Sequence, residues 1–341
     1  MQKHSMQKYL LTTLVSLAVS FGALKAEAES YLLATATTGG TYYPVGVALA
    51  TLTKVKLDPT GGPSLSAISS AGSAENIKLL REQQVQFALL QGIYGAWAKD
   101  GSGALHSDGP QPYLRSITTL WPNVEHWLVR AQYAPSGTAS DFDALKGQRL
   151  SIGARNSGTE GSGRALLTQL GYDPDVDFNL VYQGYEPSAD GLQNGTLAAA
   201  NLPAGPPVGA VTRAFAALGD RARLLSFTDE QMIKANTPRA LWTRYVISAG
   251  TYPGQNTDVM TLAQPNFLAV HEDISDEDVY QIISTIYGNL AFLKAIHKAT
   301  GDMSLETALP GLPVPLHPGA VRFYQEAGLE IDQDLMPPGL N

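Results

Sequence analysis

The stretch TATTGGTYYPVG, residues 35–46, decides how the rest of the chain is read. Before and into it, Tyr31 to Ala36 is a short apolar run of strand type. After it, Val45, Ala48, Leu49 and Leu52 recur at i, i+3, i+4 and i+7, one face of a helix. Pro44 falls in the first turn, where a missing N–H costs nothing. The loop Thr37 to Thr41 therefore joins a strand end to a helix start. Glycines let the backbone approach a ligand closely, and a helix start offers unpaired N–H groups at the positive end of its dipole. Such a loop is either a tight βα turn with ordinary capping or a seat for an anion. Thr38, Gly39, Gly40, Thr41 and Tyr42 are the candidates for the second role, with Tyr42 and Tyr43 as aromatic walls carrying a polar tip.

The same grammar continues outward. Leu65 to Ser69 and Val85 to Leu90 read as strands, and SAGSAEN leads into a helix bearing Ile77 and Leu80. This β-α-β-α-β order predicts a mainly parallel sheet flanked by helices. Leu114 to Leu120 and His126 to Val129 are further strands. Leu150 to Gly153 opens a second cycle, with strands at Asn179–Tyr182 and Leu197–Leu202 and a helix starting at Pro206. Ser275 precedes a helix with Val279, Ile282, Ile283 and Ile286 on one face, and the last helix runs from His317-Pro318 to Gly328. The fold class is α/β, in two halves of similar organisation.

The second half carries its own strand-to-helix loop, Asn156-Ser157-Gly158-Thr159-Glu160. Ser157 and Glu160 fit a capping box, which explains those two residues without a ligand. It does not explain Gly158 and Thr159, nor why a similar loop sits in each half. Two anion-friendly helix starts can face each other across a cleft beyond the carboxyl ends of the strands. Ser70 and Ser73 follow the second strand, with Ser73 a candidate N-cap, and Gln91 follows the third. Tyr185 and Gly205 hold corresponding places in the second half. Arg155 and Arg244 are possible basic partners that sequence cannot place.

Composition excludes several classes. With 341 residues, 44% hydrophobic and 16% charged, the chain can build a sizeable core. A net charge of −8 argues against nucleic acid as a partner. Cysteine is absent, which removes disulfides, thiolate metal sites and thiol nucleophiles. The six histidines are isolated, so no metal site is expected, and no cofactor motif is present: G-x-G-x-x-G and the G-x-x-x-x-G-K-[ST] phosphate loop are both missing. No G-x-S-x-G elbow marks a hydrolase, although Ser157 or Ser73 could in principle serve one. Residues 1–28 read as a signal peptide. Lys3 and Lys8 precede an apolar run from Tyr9 to Leu24, and Ala26-Glu27-Ala28 supplies a small-x-small cleavage site near Ala28. The expected location is periplasmic.

Five segments in order, TTGGTYYPVGVALA, SAGSAENIKLL, VQFALLQG, LKGQRLSIGARNSGTE and PLHPGAVRFYQEAGL, resemble the TAXI family of TRAP-transporter solute receptors. The resemblance implies a two-lobed periplasmic binding protein, a non-enzyme and a monomer. Such a receptor traps a small organic anion, glutamate- or 2-oxoglutarate-like, and delivers it to TRAP transporter membrane subunits driven by an ion gradient. Carried onto this sequence, it implies a cleft built from Thr38 to Tyr42, Ser70, Ser73, Gln91 and Ser157-Gly158-Thr159. Where relatives often have Ser-Asp after the glutamine, this chain has Gly92-Ile93. The expected division is 29–125 and 251–341 for one lobe and 126–250 for the other, with crossings near Trp121–Val129 and Val246–Phe267. A sensor that reports to a membrane receptor would carry the same features.

Overall fold

The computed structural model describes residues 29–340; the expected signal peptide, 1–28, lies outside the described residues. The first half runs β1 (Ser30–Ala34), α1 (Tyr42–Lys56), β2 (Ser64–Ile68), α2 (Ser73–Arg81), β3 (Phe87–Gln91) and α3 (Gly92–Asp100), then the long β4 (Leu114–Val124). The second half begins with β5 (Trp127–Arg130) and β6 (Arg149–Ser151). It continues through α4 (Gly158–Gln169), α5 (Pro174–Asp177), β7 (Asn179–Val181), α6 (Tyr185–Asn194), β8 (Ala199–Asn201), α7 (Gly209–Leu218) and β9 (Ala222–Leu224). After α8 (Asp229–Ala235) come β10 (Thr243–Ile247), the 13-residue β11 (Val259–His271), α9 (Asp276–Tyr287), α10 (Leu290–Ile296) and α11 (Pro318–Glu326).

Two sheets repeat one plan. In the first, β2, β1 and β3 lie side by side and parallel, and β11 joins β3 antiparallel with β4 along its other edge. In the second, β7, β6 and β8 are parallel, β5 joins β8 antiparallel and β9 closes the far edge. The antiparallel strand of each sheet is reached from the other half of the chain. β5 follows directly from β4 through Glu125-His126, and β11 follows the whole second half. Thus the two lobes share two connecting strands.

The residues explain the elements. β3 is buried on both faces, as an apolar run inside a parallel sheet requires. Pro265 inside β11 argues against a strand in sequence, yet it sits where the ladder with β4 shifts register, so no strand N–H is missed there. The expected division puts β10 in the second lobe. Instead it hydrogen-bonds to the start of β11 in the first sheet, while Ile247, Tyr252 and Val259 pack into the core under α6 and α7. That segment serves both lobes. Two expected helix starts move. Gly72 rather than Ser73 occupies the N-cap position of α2, and α7 begins at Gly209 rather than Pro206.

Candidate functional site

The carboxyl ends of six parallel strands, three from each sheet, converge on one small cavity between the lobes. From the first lobe come Thr37, Gly40, Thr41 and Tyr42 after β1, Gly72 and Ser73 after β2, and Gln91 at the end of β3. From the second come Ser157, Gly158 and Thr159 after β6, Tyr185 after β7, and Pro203 and Ala204 after β8. Asn123, one residue before the end of β4, completes the wall near the crossing. A volume of about 40 Å³ is open to the centre of a water-sized sphere. That is room for about three waters, or for the atoms of a small ligand.

Local chemistry fixes these loops. Asn76 on α2 is fully buried; its amide N–H donates to the Thr35 carbonyl at 2.8 Å and the Leu89 carbonyl at 2.9 Å. The ends of β1 and β3 are thereby tied to α2, and Ser70 Oγ donates to Asn76 Oδ1 at 2.6 Å. Ser157 accepts from the Glu160 N–H at 3.0 Å, as the sequence suggests. The reciprocal bond differs by one residue: Glu160 accepts from the Asn156 N–H at 2.7 Å, not from Ser157. Ser73 Oγ caps no helix and instead accepts from the Gln91 N–H at 3.1 Å.

The lobes are closed on each other, and their contacts come in reciprocal pairs. The Gly39 carbonyl accepts from the Ala210 N–H at the start of α7. The Asn156 carbonyl accepts from the Glu75 N–H at the start of α2. Each strand-to-helix loop thus caps a helix of the other lobe. Thr41 Oγ1 donates to the Gly205 carbonyl at 2.8 Å, and Tyr94 Oη to the Ser157 carbonyl at 3.1 Å. Glycines permit this approach. A Cβ on Gly158 would lie 2.7 Å from Gln91 Cδ and 2.8 Å from Ser73 Oγ, and Gly72, at φ +127°, lies against Gly158 N.

Hydroxyl groups expected to meet a ligand are engaged in the walls. Tyr42 Oη donates to Asn266 Oδ1 at 2.5 Å. Tyr185 Oη donates to the Pro203 carbonyl at 2.5 Å, which leaves Thr159 Oγ1 to donate to Tyr185 Oη at 2.9 Å. Burial pushes the Tyr42 and Tyr185 phenols well above their ordinary range, so both stay neutral. Gln91 Oε1 and Asn123 Nδ2 are buried without a partner among the described residues. The N–H groups of Tyr42, Gly158 and Thr159, in the first turns of α1 and α4, find no acceptor among the described residues.

Not every candidate reaches the cavity. Thr38 and Gly39 lie outside it, Ser70 stands behind the β2–α2 turn, and Gly205 meets Thr41 through its carbonyl. Arg155 is exposed and stacks on Tyr182, 3.7 Å from the ring centre, while Arg244 pairs with Asp229 at the surface. Among the described residues no charged side chain and no histidine lines the cavity. Ser157 and Ser73 therefore have no base beside them there. Asn123 is hard to find in sequence because it sits inside the apolar run ITTLWPNV; one polar residue where the chain leaves a buried strand is the signal that could reveal it.

The glutamate next to that crossing is unusual. Glu125 is buried; its carboxyl accepts from Ser162 Oγ at 3.3 Å through Oε1, and Oε2 has no partner among the described residues. Burial pushes it up to about 7. His126 beside it is held down to about 4 by burial. Its Nδ1 lies 2.8 Å from the Val124 carbonyl and so carries the proton, leaving Nε2 to accept from Tyr252 Oη at 2.7 Å.

Among the described residues no helix is long and apolar enough to cross a membrane. Several solved structures share this architecture. MatC from Rhodopseudomonas palustris, solved with bound malate, superposes with a TM-score of 0.52 at 15% identity, covering 87% of this chain and 96% of that one. A structure described as a periplasmic transporter gives 0.51 at 13% identity over 90% and 94% of the two chains. At these identities the likeness is one of fold. The sequence itself matches the model of the NMT1-like family across residues 33–328, nearly the whole of the described chain, and the protein therefore belongs to the NMT1-like family.

Proposed function

We propose that the protein is an extracytoplasmic solute receptor that closes its two lobes around a small organic anion. The observation that carries this reading is the cavity itself. Six strand ends and the first turns of α1 and α4 face it from both lobes, and uncommitted N–H groups on both sides are brought together only by closure. An anion bound there stabilises the closed form because only that form makes both sets of contacts. The neighbour solved with malate holds a small carboxylate in the same fold. Glutamate- or 2-oxoglutarate-like anions are the class that the TAXI resemblance brings to this site. A catalytic role has less support, since no base lines the cavity.

The finer reading is a TAXI-type receptor that residues 1–28 direct across the membrane and that passes its ligand, as a monomer, to TRAP-type membrane subunits. Val124 to His126 and the segment between β9 and β10 serve as the hinge. A thermal-shift screen of the chain from Glu29 onward, with carboxylates, sugars and cations, tests the ligand class. A ligand that binds only the folded form raises the melting temperature. Carboxylates should do so, and stabilisation by sugars or cations alone would contradict the reading. Delivery is tested by uptake into vesicles carrying the membrane subunits. An ion gradient should suffice, whereas a requirement for ATP would assign a different class of transporter.

A further inference from the structure

The second-lobe loop runs on as Gly158-Thr159-Glu160-Gly161-Ser162-Gly163, so α4 carries three glycines in its first six residues. Glycine is a poor residue for a helix interior, and packing accounts for these three. A Cβ on Gly163 would meet Ile152 of its own lobe, and one on Gly158 would meet Gln91 and Ser73 of the facing lobe. Gly161 receives Tyr94. A Cβ there would stand 2.7 Å from Cζ and 2.9 Å from Cε2 of the ring, and closer still to its hydroxyl. Tyr94 belongs to α3 in the first lobe; it is 1% exposed and lies edge-on to Trp97. Its hydroxyl enters the first turn of α4 and donates to the Ser157 carbonyl at 3.1 Å. The Gly161 N–H, whose own bond to that carbonyl is long at 3.4 Å, also acts on the phenol oxygen. Burial raises the phenol above its ordinary range, so it stays neutral and remains a donor. Tyr94 does not line the cavity, but the carbonyl it holds belongs to Ser157, and Ser157, Gly158 and Thr159 do.

We infer that Tyr94 is a positioning residue of the ligand site: without touching the ligand, it locks the first turn of α4 over the cavity by seating its hydroxyl in the notch at Gly161. The inference rests on the anion-receptor reading, in which the ligand is held between closed lobes. Phenol and notch come from opposite lobes, so their contact stabilises the closed form alone. With the lobes apart, the Tyr94 hydroxyl and the Ser157 carbonyl exchange this bond for bonds to water at little cost. The latch therefore slows release of a captured ligand and leaves its capture unchanged.

Calorimetry and stopped-flow tryptophan fluorescence, with Trp97 against Tyr94 as a reporter, test this on the chain from Glu29 onward with L-glutamate, 2-oxoglutarate and L-malate. Tyr94→Phe removes only the hydroxyl. Each of these anions that binds the wild type should leave the variant about fivefold faster, with association and the urea midpoint of the unliganded protein unchanged. Gly161→Ala fills the notch. It should weaken binding at least about tenfold and, because alanine suits a helix better once the lobes part, raise the urea midpoint of the unliganded protein. A purely structural role would lower affinity and midpoint together. Wild-type dissociation in Tyr94→Phe, undiminished affinity in Gly161→Ala, or a midpoint that falls with affinity would overturn the inference and leave the anion reading intact. A wild type that binds none of the three anions would remove both.

Discussion

Replacing Glu125 by glutamine should stabilise the protein in a pH-dependent way, and the structure sets the size of the effect. The carboxyl is buried at the chain's crossing between lobes and titrates near 7 instead of 4.5. The rise from 4.5 to about 7 corresponds to about 3 kcal/mol between the two protonation states. The sign depends on which state holds the proton. Between about pH 4.5 and 7 the folded protein keeps a proton that the unfolded chain has lost, so stability falls as pH rises through that window. It is fully present below 4.5 and fully lost above 7. Glutamine keeps the shape and never ionises. The variant should therefore gain up to about 3 kcal/mol at pH 8 and converge on the wild type near pH 4.5. For a chain of this length that is a rise in melting temperature of about 5 °C at pH 8. His126 titrates beside it in the opposite sense: its depressed value removes stability as pH falls from 6.5 towards 4. That slope is common to both proteins and cancels in the difference. Urea unfolding of both at half-unit pH steps is the assay. A difference that does not change with pH, or a variant less stable at pH 8, would refute the assignment of a buried, protonated carboxyl.

Three further substitutions probe closure and the loop scaffold. Gly158→Ala places a methyl within 3 Å of Gln91 and Ser73 on the facing lobe, so ligand affinity should fall at least about tenfold while urea stability of the unliganded protein changes little. An equally tight variant would show that the lobes need not meet there. Thr41→Ala removes the bond to the Gly205 carbonyl and should weaken binding by about 1 kcal/mol, read by calorimetry; unchanged affinity would mean the bond is not specific to the closed form. Asn76→Ala strips the donor from two strand-end carbonyls and should cost about 2–4 kcal/mol in urea unfolding, and a loss below 1 kcal/mol would contradict its role as the tie.

Much of the fold is legible in the sequence because its signals are local. The run from Tyr31, the loop at Gly39-Gly40 and the helical spacing from Val45 are all readable within 20 residues, and the same holds around Ser157. The exchange of β5 and β11 between sheets is not legible, since it pairs segments far apart in the chain, as Glu125 with Leu262 and Gln91 with Asn266 show. β10 and α8 escape a sequence reading because Arg244 and the surface residues around it break the apolar alternation. At the site, the glycine-rich loops stand out, but not how their hydroxyls are used. Tyr42, Thr159 and Tyr185 carry the right groups and point them into the walls, a matter of tertiary partners such as Asn266 and Pro203. Asn123 has no motif around it, and nothing in sequence hints that both Arg155 and Arg244 turn to the surface.

Ligand binding should bring the two lobes together over this cavity. The chain has no cysteine, so spin labels can be placed at will. Val55 at the end of α1 and Val176 in α5 are exposed, one on each lobe. Pulsed electron-resonance distances between labels at Val55→Cys and Val176→Cys, recorded with and without the most stabilising carboxylate, measure closure directly. A two-lobed clamp predicts a longer, broader distribution without ligand and a single shorter distance, matching the closed structure, with it. An identical distribution in both conditions would contradict closure around a bound anion.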